Sequence, residues 1–471
     1  MKGKKIVSMV LAAGILIGGA GISPVRAFAA TNEDVQITSA KTQKDLDIEA
    51  YNILKELNLN PTEENIKAAR KALATLRDGL YRSAYKYLLD VYADRGTEKP
   101  AIDELIAANA LNAEIITGEI EKNFGINFDG KNLSKEEEQQ LAMIKAILNM
   151  NINSKIKFAG EENTKAKVSG NVNANLMGQE VKMNIWADVD ISGSIPQIKY
   201  IIQVPEMLKV SNPALSNKDY IVFDFAEMMK NPAMEQAGAI PDMRKIIDAA
   251  SRFNTKFTKS FEEFIKIADA KYGIVERKEL AKVDADGKKG LAKAYSVNID
   301  TDDLIGIIGD MLKDEEMMGT VKAYLDEIMA LDPNASKLSN EEFYAALEQA
   351  LPVLNQLKDV MNFDITFDIG VNKEGYVSYQ NGKIKININP AAIASMAGEG
   401  NTELKEQINP NSSYTVTINL DSNITNINGD VKVEDMPKVT EENSVNYIDL
   451  MNMTSQEVVV VENITDNYST T

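Results

Sequence analysis

Histidine and cysteine, on which many enzyme mechanisms depend, are both absent from the 471-residue chain. Without histidine, a Ser-His-Asp triad, a histidine general base and the usual zinc ligand sets cannot form. Without cysteine, thiol catalysis, disulfide bonds and a lipidated N-terminal cysteine are excluded. The chemistry that remains is carboxylate catalysis, Ser-Lys catalysis, and calcium or magnesium bound by oxygen ligands.

Two predicted strands each carry a pair of carboxylates on one face. Asp188 and Asp190 are two residues apart, and Asp364 and Asp368 are four residues apart. Such pairs can flank a sugar or bind a cation. We interpret them as solvated sheet residues, because the sequence supplies no partner and nothing that raises a pKa. A carboxylate-based enzyme acting on glycans is therefore the third hypothesis, after two non-enzymatic ones.

The segment Asp284-Ala285-Asp286-Gly287 resembles part of a calcium loop. A complete loop of the EF-hand type has glutamate at its twelfth position, which is Tyr295 here. A hairpin turn is the better interpretation, and we predict no metal site and no cofactor. Trp186, the only tryptophan, lies on the polar side of its predicted strand and is expected to pack against a neighbouring element.

Methionine is abundant, with 20 residues. Its side chain is flexible and polarisable, so a methionine-lined groove can accept varied apolar ligands. Ordinary core packing explains the same positions, and both interpretations stay open at this point. The candidate ligand contacts are Met183, Ile185, Met228, Met229, Met311 and Phe367.

The N-terminus has the three parts of a secretion signal. Three lysines precede the apolar run from Ile6 to Ile22, and Pro24 follows it. Ala27-Phe28-Ala29 then gives the small-x-small pattern of a cleavage site, so residues 1–29 are predicted to be removed after Ala29. An uncleaved membrane anchor is the alternative, since the apolar run could just span a bilayer. We expect a protein that is secreted or located at the cell surface.

Residues 30–150 are predicted to be an α-helical region. Apolar residues recur at the helical spacing of three and four positions, as at Ile66, Ala69 and Leu73. Asn60-Pro61-Thr62-Glu63 has the composition of a helix N-terminus. Ser134 to Glu137 repeats that pattern before the next apolar residues.

From about residue 151 the apolar period changes from 3.6 to 2, which predicts antiparallel strands with one covered face. Helical patterns interrupt the alternation from Phe225 to Ala270 and from Asp303 to Met361. Asn381-Gly382 is predicted to be a hairpin turn. The strands are expected at these alternating runs: 168–176, 181–191, 198–204, 220–225, 274–283, 291–299, 363–371, 384–388, 414–420 and 431–433.

A sheet of roughly ten or more amphipathic strands must curl, and one face must be covered. The two helical insertions come where they could cover it, so residues 151–438 are predicted to form one antiparallel half-barrel. Residues 439–471 are expected to be a polar tail. The predicted class is α+β: a large curved antiparallel sheet covered by helices and preceded by an α-helical region.

The same plan carries a resemblance. The strand from Tyr295 to Asp300 leads directly into a helix, and Tyr414–Asn426 is followed by Val431–Pro437. In this order of elements, about residues 151–437 resemble the LolA/LppX-like half-barrel superfamily of exported lipoproteins and lipid carriers. The resemblance implies an acyl chain or a lipidated protein held between sheet and helices. This chain departs from the family by lacking the lipidated cysteine and by its extra N-terminal helical region.

The net charge of -19 makes nucleic acid and anionic membranes poor partners. The first functional hypothesis is a secreted, non-enzymatic binding protein, associated with the bacterial cell envelope, that holds a lipid-like or other apolar ligand between sheet and helices. The alternative is a structural or interaction module of the cell surface, in which helices fill the sheet and no ligand cavity exists.

Overall fold

The computed structural model of the protein describes residues 43–450 with several gaps. Its description does not extend to residues 78, 97–98, 162–163, 177, 193–195, 229–242, 285–286, 288, 332–338 and 397–408. Two compact units are formed. Of the described residues, the first unit comprises those up to Glu114, within Asn127–Met143 and within Ile247–Asp421, and the second comprises those within Ile115–Ile126, within Ile144–Ile246 and from Ser422 onward.

The alternating runs of the sequence form a single twelve-stranded sheet in the described residues, in the order β12-β6-β5-β4-β3-β2-β1-β11-β10-β9-β8-β7. The short strand β12 is parallel to β6, whereas β1 to β6 and β7 to β10 pair antiparallel in sequence order. The strands are β1 (Thr117–Lys131), β2 (Met150–Glu161), β3 (Lys165–Leu176), β4 (Gln179–Asp190), β5 (Gln197–Gln203), β6 (Tyr220–Asp224), β7 (Val275–Lys278), β8 (Leu291–Asp300), β9 (Met361–Asn372), β10 (Val377–Ile388), β11 (Ser413–Thr425) and β12 (Ser444–Asn446).

Helices precede and interrupt these strands, and the predicted α+β class is confirmed. Both predicted helical insertions are helical in their described residues. The helices are α1 (Gln43–Leu59), α2 (Glu63–Ala74), α3 (Leu80–Asp94), α4 (Ala101–Asn112), α5 (Lys135–Leu148), α6 (Glu206–Ser211), α7 (Phe225–Met228), α8 (Met243–Tyr272), α9 (Leu280–Val283), α10 (Thr301–Lys313), α11 (Glu315–Met329), α12 (Asn340–Val360) and α13 (Pro390–Met396).

Capping side chains start several of the helices. The Thr62 hydroxyl accepts a hydrogen bond from the Asn65 N–H, so α2 begins after Thr62, slightly later than the pattern at Asn60 predicted. Ser339 and Glu342 form a reciprocal capping box at the start of α12. Each cap satisfies backbone N–H groups that have no partner within the helix.

The first unit contains two hydrophobic clusters. Helices α1 to α3 bury one around Leu57, Ile66 and Leu73. In the other, helices α4, α8, α10, α11 and α12 pack against strands β7 to β10. Met317 and Phe367, which belong to this second cluster, are 0% and 6% exposed. The apolar side of these strands is therefore filled by side chains from the helices.

Strand β1 lies inside residues 30–150, which were predicted to be helical throughout. The strand has alternating apolar residues at Ile120, Phe124 and Ile126, but Lys122 interrupts the pattern at a position that faces the same side. The prediction for this segment therefore followed the helical periodicity of the residues before and after it. Similarly, the predicted polar tail contains β12, which adds three residues to the edge of the sheet beside β6.

The predicted hairpin turn at Asn381-Gly382 is wrong, because both residues lie within β10, opposite Asp368 and Phe367 of β9. Glycine is required there by packing: a Cβ on Gly382 would lie 2.0 Å from a carbon of the Phe367 ring. The turn between β9 and β10 instead contains Gly375, whose φ of 95° is a conformation that favours glycine.

Two further strand predictions are corrected by the structure. Residues 431–433 form no regular secondary structure. The predicted strand 274–283 is split into the short β7 and the helical turn α9. After α9, the Asp284 carboxylate accepts hydrogen bonds from the N–H groups of Lys289 and Leu291. Asp284 thus organises a turn, and Asp286 lies outside the described residues.

Candidate functional site

The second unit has an apolar side on strands β1 to β6, which we call the apolar face. Antiparallel pairing places cross-strand partners on the same side of a sheet. One row of the register joins Ile152, Ala174 and Val181, and the next joins Ser154, Val172 and Met183. Two further rows continue the apolar face: Ile156, Gly170, Ile185 and Ile202, then Phe158, Val168, Ala187 and Tyr200.

Many side chains of the apolar face remain partly accessible to solvent. Ile202 is 37% exposed, whereas Met317 and Phe367 in the core of the first unit are 0% and 6% exposed. The apolar side of an antiparallel sheet usually packs against other elements, so the partly accessible apolar face is the candidate site of this unit. The half-buried members are Phe124, Ile126, Met150, Ile152, Ile156, Phe158, Val168, Val172, Met183, Ile185, Val189, Ile198 and Tyr200.

The helices that the structure describes within the second unit are short. They are α6 and α7, of six and four residues, the last residues of α5, the first four residues of α8, and short helical turns at Pro213–Leu215 and residues 447–450. The first unit differs, because its strands pack against longer helices, including residues 247–272 of α8. The packing difference follows from helix length, since a longer helix covers more of a sheet.

Lys122 of β1 adds a cationic group to the apolar face. Its position is opposite Ser154 of β2, and the Ser154 hydroxyl donates to the Lys122 carbonyl oxygen at 3.5 Å. Burial lowers the pKa of the Lys122 ammonium group, because the charged form loses hydration. The face therefore combines aliphatic and aromatic side chains with a partly desolvated amine.

The predicted ligand contacts do not form one group. Met183 and Ile185 both lie half-buried on the apolar face, two residues apart on β4. Met311 packs against the core of the first unit, and Phe367 is part of that core. Met228 is the last residue of α7, and the structure describes its backbone only. Met229 and the predicted cleavage site at Ala29 lie outside the described residues.

The other side of the second-unit strands, which we call the polar face, is covered at one end. Trp186, Ile201 and Val222 form a small cluster against Met436 and Val439. The Glu434 N–H also donates to the Ser169 hydroxyl at 3.0 Å, beside Trp186 in the register. Trp186 therefore packs against a neighbouring segment, as its isolated position in the sequence predicted.

The carboxylates proposed for catalysis make structural contacts. Asp190 accepts hydrogen bonds from the backbone and side chain of Ser192, and these bonds lower its pKa, with a smaller effect of Lys165. A general acid requires the opposite shift. Asp368 forms an ion pair of 2.5 Å with Lys278. The described residues include no cluster of three acidic side chains suited to a metal ion.

A polar pocket of about 550 Å³ lies at the start of α2 in the first unit. Its side chains already have structural partners: Thr62 caps the helix, and Glu63 forms ion pairs with Arg277 and Lys67. The pocket is therefore explained by helix capping and surface ion pairs. Its lining consists of Asn60, Thr62, Glu63, Glu64, Asn65 and Lys67.

No family model, curated protein or solved structure matches this chain. The resemblance to the half-barrel superfamily thus rests on the order of elements and stays a prediction. Among the described helices, none has both the length and the apolar character needed to cross a membrane. Function must be argued from the apolar face itself.

Sequence reasoning identified the contribution of β4 to this face and missed that of β1. Phe124, Ile126 and Lys122 lie in a segment that was predicted to be helical. The available signal was the alternation of Phe124, Ile126 and Phe128, with Ile120 in the same series and Lys122 as its one interruption.

Proposed function

We propose that this chain is a secreted, non-enzymatic binding protein that holds a lipid-like ligand against the apolar face of its second unit. The single observation that supports this proposal is the set of half-buried aliphatic and aromatic side chains across strands β1 to β5. A ligand lying there would remove their remaining apolar surface from water, which stabilises a complex by about 25 cal/mol per Å².

The proposed ligand is flexible and apolar, because the apolar face consists mainly of aliphatic and aromatic side chains and has no fixed array of polar groups. Met183 and Ile185 lie near its centre, with neighbours on both sides of β4. Methionine adapts its conformation to ligands of different shape. Each CH₂ group of the ligand that becomes buried contributes about 0.8 kcal/mol.

Location outside the cytoplasm belongs to the same proposal. It is supported by the basic start, the apolar run and the Ala27-Phe28-Ala29 pattern of the N-terminus. A lipid-like ligand also suits a protein of the cell envelope. Nucleic acid remains an unsuitable partner, because the net charge of -19 would repel its phosphates.

A structural or interaction module is the alternative function, and the packing of the first unit favours it. There, side chains from helices fill the apolar side of β7 to β10, and Phe367 is buried among them. If another polypeptide fills the apolar face of the second unit in the same way, the chain binds protein and not lipid.

The test uses the chain from Ala30 to Thr471 and displacement of a fluorescent fatty acid by unlabelled fatty acids. We expect Met183→Gln to weaken binding about tenfold or more, since complete burial of a methionine side chain contributes about 1.5–3 kcal/mol and about 1.4 kcal/mol corresponds to a factor of ten. The matched control is Lys182→Gln, which changes the adjacent residue on the opposite face and should leave binding unchanged.

Two results separate the alternatives. Native mass spectrometry of the purified protein should show a co-purified amphiphile that is released by organic extraction. If neither the purified chain nor the displacement assay shows binding of an amphiphile, the lipid-binding proposal is wrong. Equal effects of Met183→Gln and Lys182→Gln would show that the fluorescent ligand does not use the apolar face.

A further inference from the structure

Asparagine is concentrated on the polar face, away from the end covered by Met436 and Val439. Alternation along the strands directs these asparagines to the side opposite Met183 and Ile185. Strands β1 to β4 contribute them, and all lie in the second unit. The asparagines are Asn123, Asn151, Asn153, Asn171, Asn173, Asn175 and Asn184.

The register brings these amides together in rows across the sheet. Asn123, Asn153 and Asn173 are direct cross-strand partners in one row. Asn171 and Asn184 are partners in the next. Neighbouring strands are about 4.8 Å apart, and successive residues on one face are about 6.8 Å apart. The amides therefore form a regular two-dimensional array.

Hydrogen bonds within the array fix the orientation of some of the amides. The Asn153 Nδ2 group donates to Asn123 Oδ1, and Asn171 Nδ2 donates to Asn184 Oδ1 at 2.8 Å. Each bond uses one donor and one acceptor, although a primary amide has two N–H groups and a carbonyl oxygen with two lone pairs. The array thus retains further hydrogen-bonding capacity in a preorganised arrangement.

Strand stability does not account for this composition. Asparagine is depleted in β-strands, whereas threonine and valine fit the pleated backbone better. A solvated strand face can therefore be built from more favourable residues. Residues that oppose local structural preference and cluster on one surface are typical of functional sites.

The array is close to electrically neutral. Lys155 lies 2.5 Å from Glu121, and Lys182 lies 3.0 Å from Glu180, so the neighbouring charges are paired. Asn123, Asn151, Asn171 and Asn175 are exposed, and the other three asparagines are half-buried. A partner must therefore offer neutral groups that both donate and accept hydrogen bonds, at repeated positions.

We propose that the asparagine array binds a neutral polysaccharide, with the amide groups pairing with sugar hydroxyls. A hydroxyl donates one hydrogen bond and accepts others, which matches the dual character of an amide. Protein partners are less suited, because stable protein interfaces rely on buried aromatic or arginine anchors. The site lies on the opposite side of the sheet from the proposed lipid site, so the two functions are independent.

The experiment compares binding of the Ala30–Thr471 chain to insoluble cellulose, chitin and starch and to an array of neutral oligosaccharides. The test variant is Asn153→Val/Asn171→Val/Asn173→Val, in which the side chains can no longer donate or accept hydrogen bonds. Valine has a higher strand propensity, so this variant should unfold at an equal or higher temperature. The control, Asn298→Val/Asn362→Val, changes two exposed strand asparagines of the first unit.

We expect the unmodified chain and the control to bind at least one of these glycans. The triple variant should bind it at least about tenfold more weakly, a difference of about 1.4 kcal/mol, because three of the hydrogen-bonding amides are lost. Absence of binding to every neutral glycan would overturn the proposal. So would equal binding by a folded triple variant, or self-association of the chain that the three substitutions abolish.

Discussion

At the scale of single residues, Asp269 shows how burial controls a charge in the first unit. The residue is 1% exposed and lies at the end of α8. Its Oδ1 accepts a hydrogen bond from the Val275 N–H at 2.8 Å, and Lys67 is 3.8 Å from its Oδ2. Burial raises the pKa of Asp269 and outweighs the opposing effects of this hydrogen bond and of Lys67 and Arg70.

The folded protein therefore binds a proton at the Asp269 carboxyl more tightly than the unfolded chain does. As the pH falls through the raised pKa toward the unfolded value of 3.8, protonation of Asp269 increasingly stabilises the folded state. Asp269→Asn keeps an acceptor for Val275 but cannot titrate. We therefore expect the free energy of unfolding of the native protein to increase relative to that of the variant as the pH is lowered from 7 to 4. Urea unfolding at several pH values tests this, and a constant difference would contradict it.

Glu104 of α4 has the opposite pH dependence. Burial raises its pKa, but hydrogen bonds from Lys293 and the Tyr295 hydroxyl, with Arg277 nearby, produce a net lowering. This stabilisation is present above the unfolded pKa and is lost as the pH falls through the lowered folded pKa.

Glu104→Gln should therefore destabilise the protein by about 1–3 kcal/mol at pH 7, the usual contribution of hydrogen bonds to a charged group. The difference should shrink as the solution is acidified below the pKa of a free glutamate. Chemical unfolding of both proteins at pH 7 and pH 3.5 measures the effect. A loss of stability that is the same at both values would show that the charge of Glu104 plays no part.

At the scale of the elements, two glycines provide a matched test of strand and helix packing. Gly382 of β10 lies under the Phe367 ring, whereas the space around Gly319 of α11 is open within 4 Å. Gly382→Ala should cost about 1–3 kcal/mol, because the added methyl group must displace the ring. Gly319→Ala should stabilise the protein by about 0.5–1 kcal/mol, since alanine is the better helix former. Thermal unfolding of both variants should shift in opposite directions.

Gly382 also illustrates why the sequence predicts some strands and not others. Strands β3 and β4 were evident, because small or apolar residues alternate with polar residues along most of their length. Asn381-Gly382 has the composition of a hairpin turn, and only the contact with Phe367 shows why glycine occurs inside a strand. Strand β1 was missed because Lys122 interrupts its alternation. The local sequence pattern predicts a strand when one face is apolar along its whole length. It fails where contact with a side chain distant in the sequence selects the residue type at one position.

At the scale of the whole molecule, the proposed secretion makes a direct prediction about the N-terminus. Expression of the full chain in a bacterium with a general secretion pathway should release a product that begins at Ala30. Ala29→Leu should reduce processing, because signal peptidase requires a small residue before the cut. Intact-mass measurement of the secreted and cell-associated fractions identifies the N-terminus. Retention of residues 1–29 in the exported protein would favour the membrane anchor instead.

The candidate site could be predicted only in part from the sequence. Period-two patterning identifies an apolar side on each strand, including Met183 and Ile185 of β4. It does not show which of these sides a helix fills. Phe367 and Met183 have similar sequence surroundings, yet Phe367 is 6% exposed in a packed core and Met183 is half-buried on the apolar face. This difference depends on the long helices of the first unit, whose positions follow from tertiary packing.

Photo-crosslinking tests the lipid-binding proposal most directly. A fatty acid carrying a diazirine on its alkyl chain would be bound to the chain from Ala30 to Thr471, irradiated and mapped by mass spectrometry of peptides. We expect labels on β2 to β5, including Met183 or Ile185, with labelling reduced by Met183→Gln and by excess unlabelled fatty acid. Labels confined to the first unit, or labelling that excess fatty acid does not reduce, would contradict it.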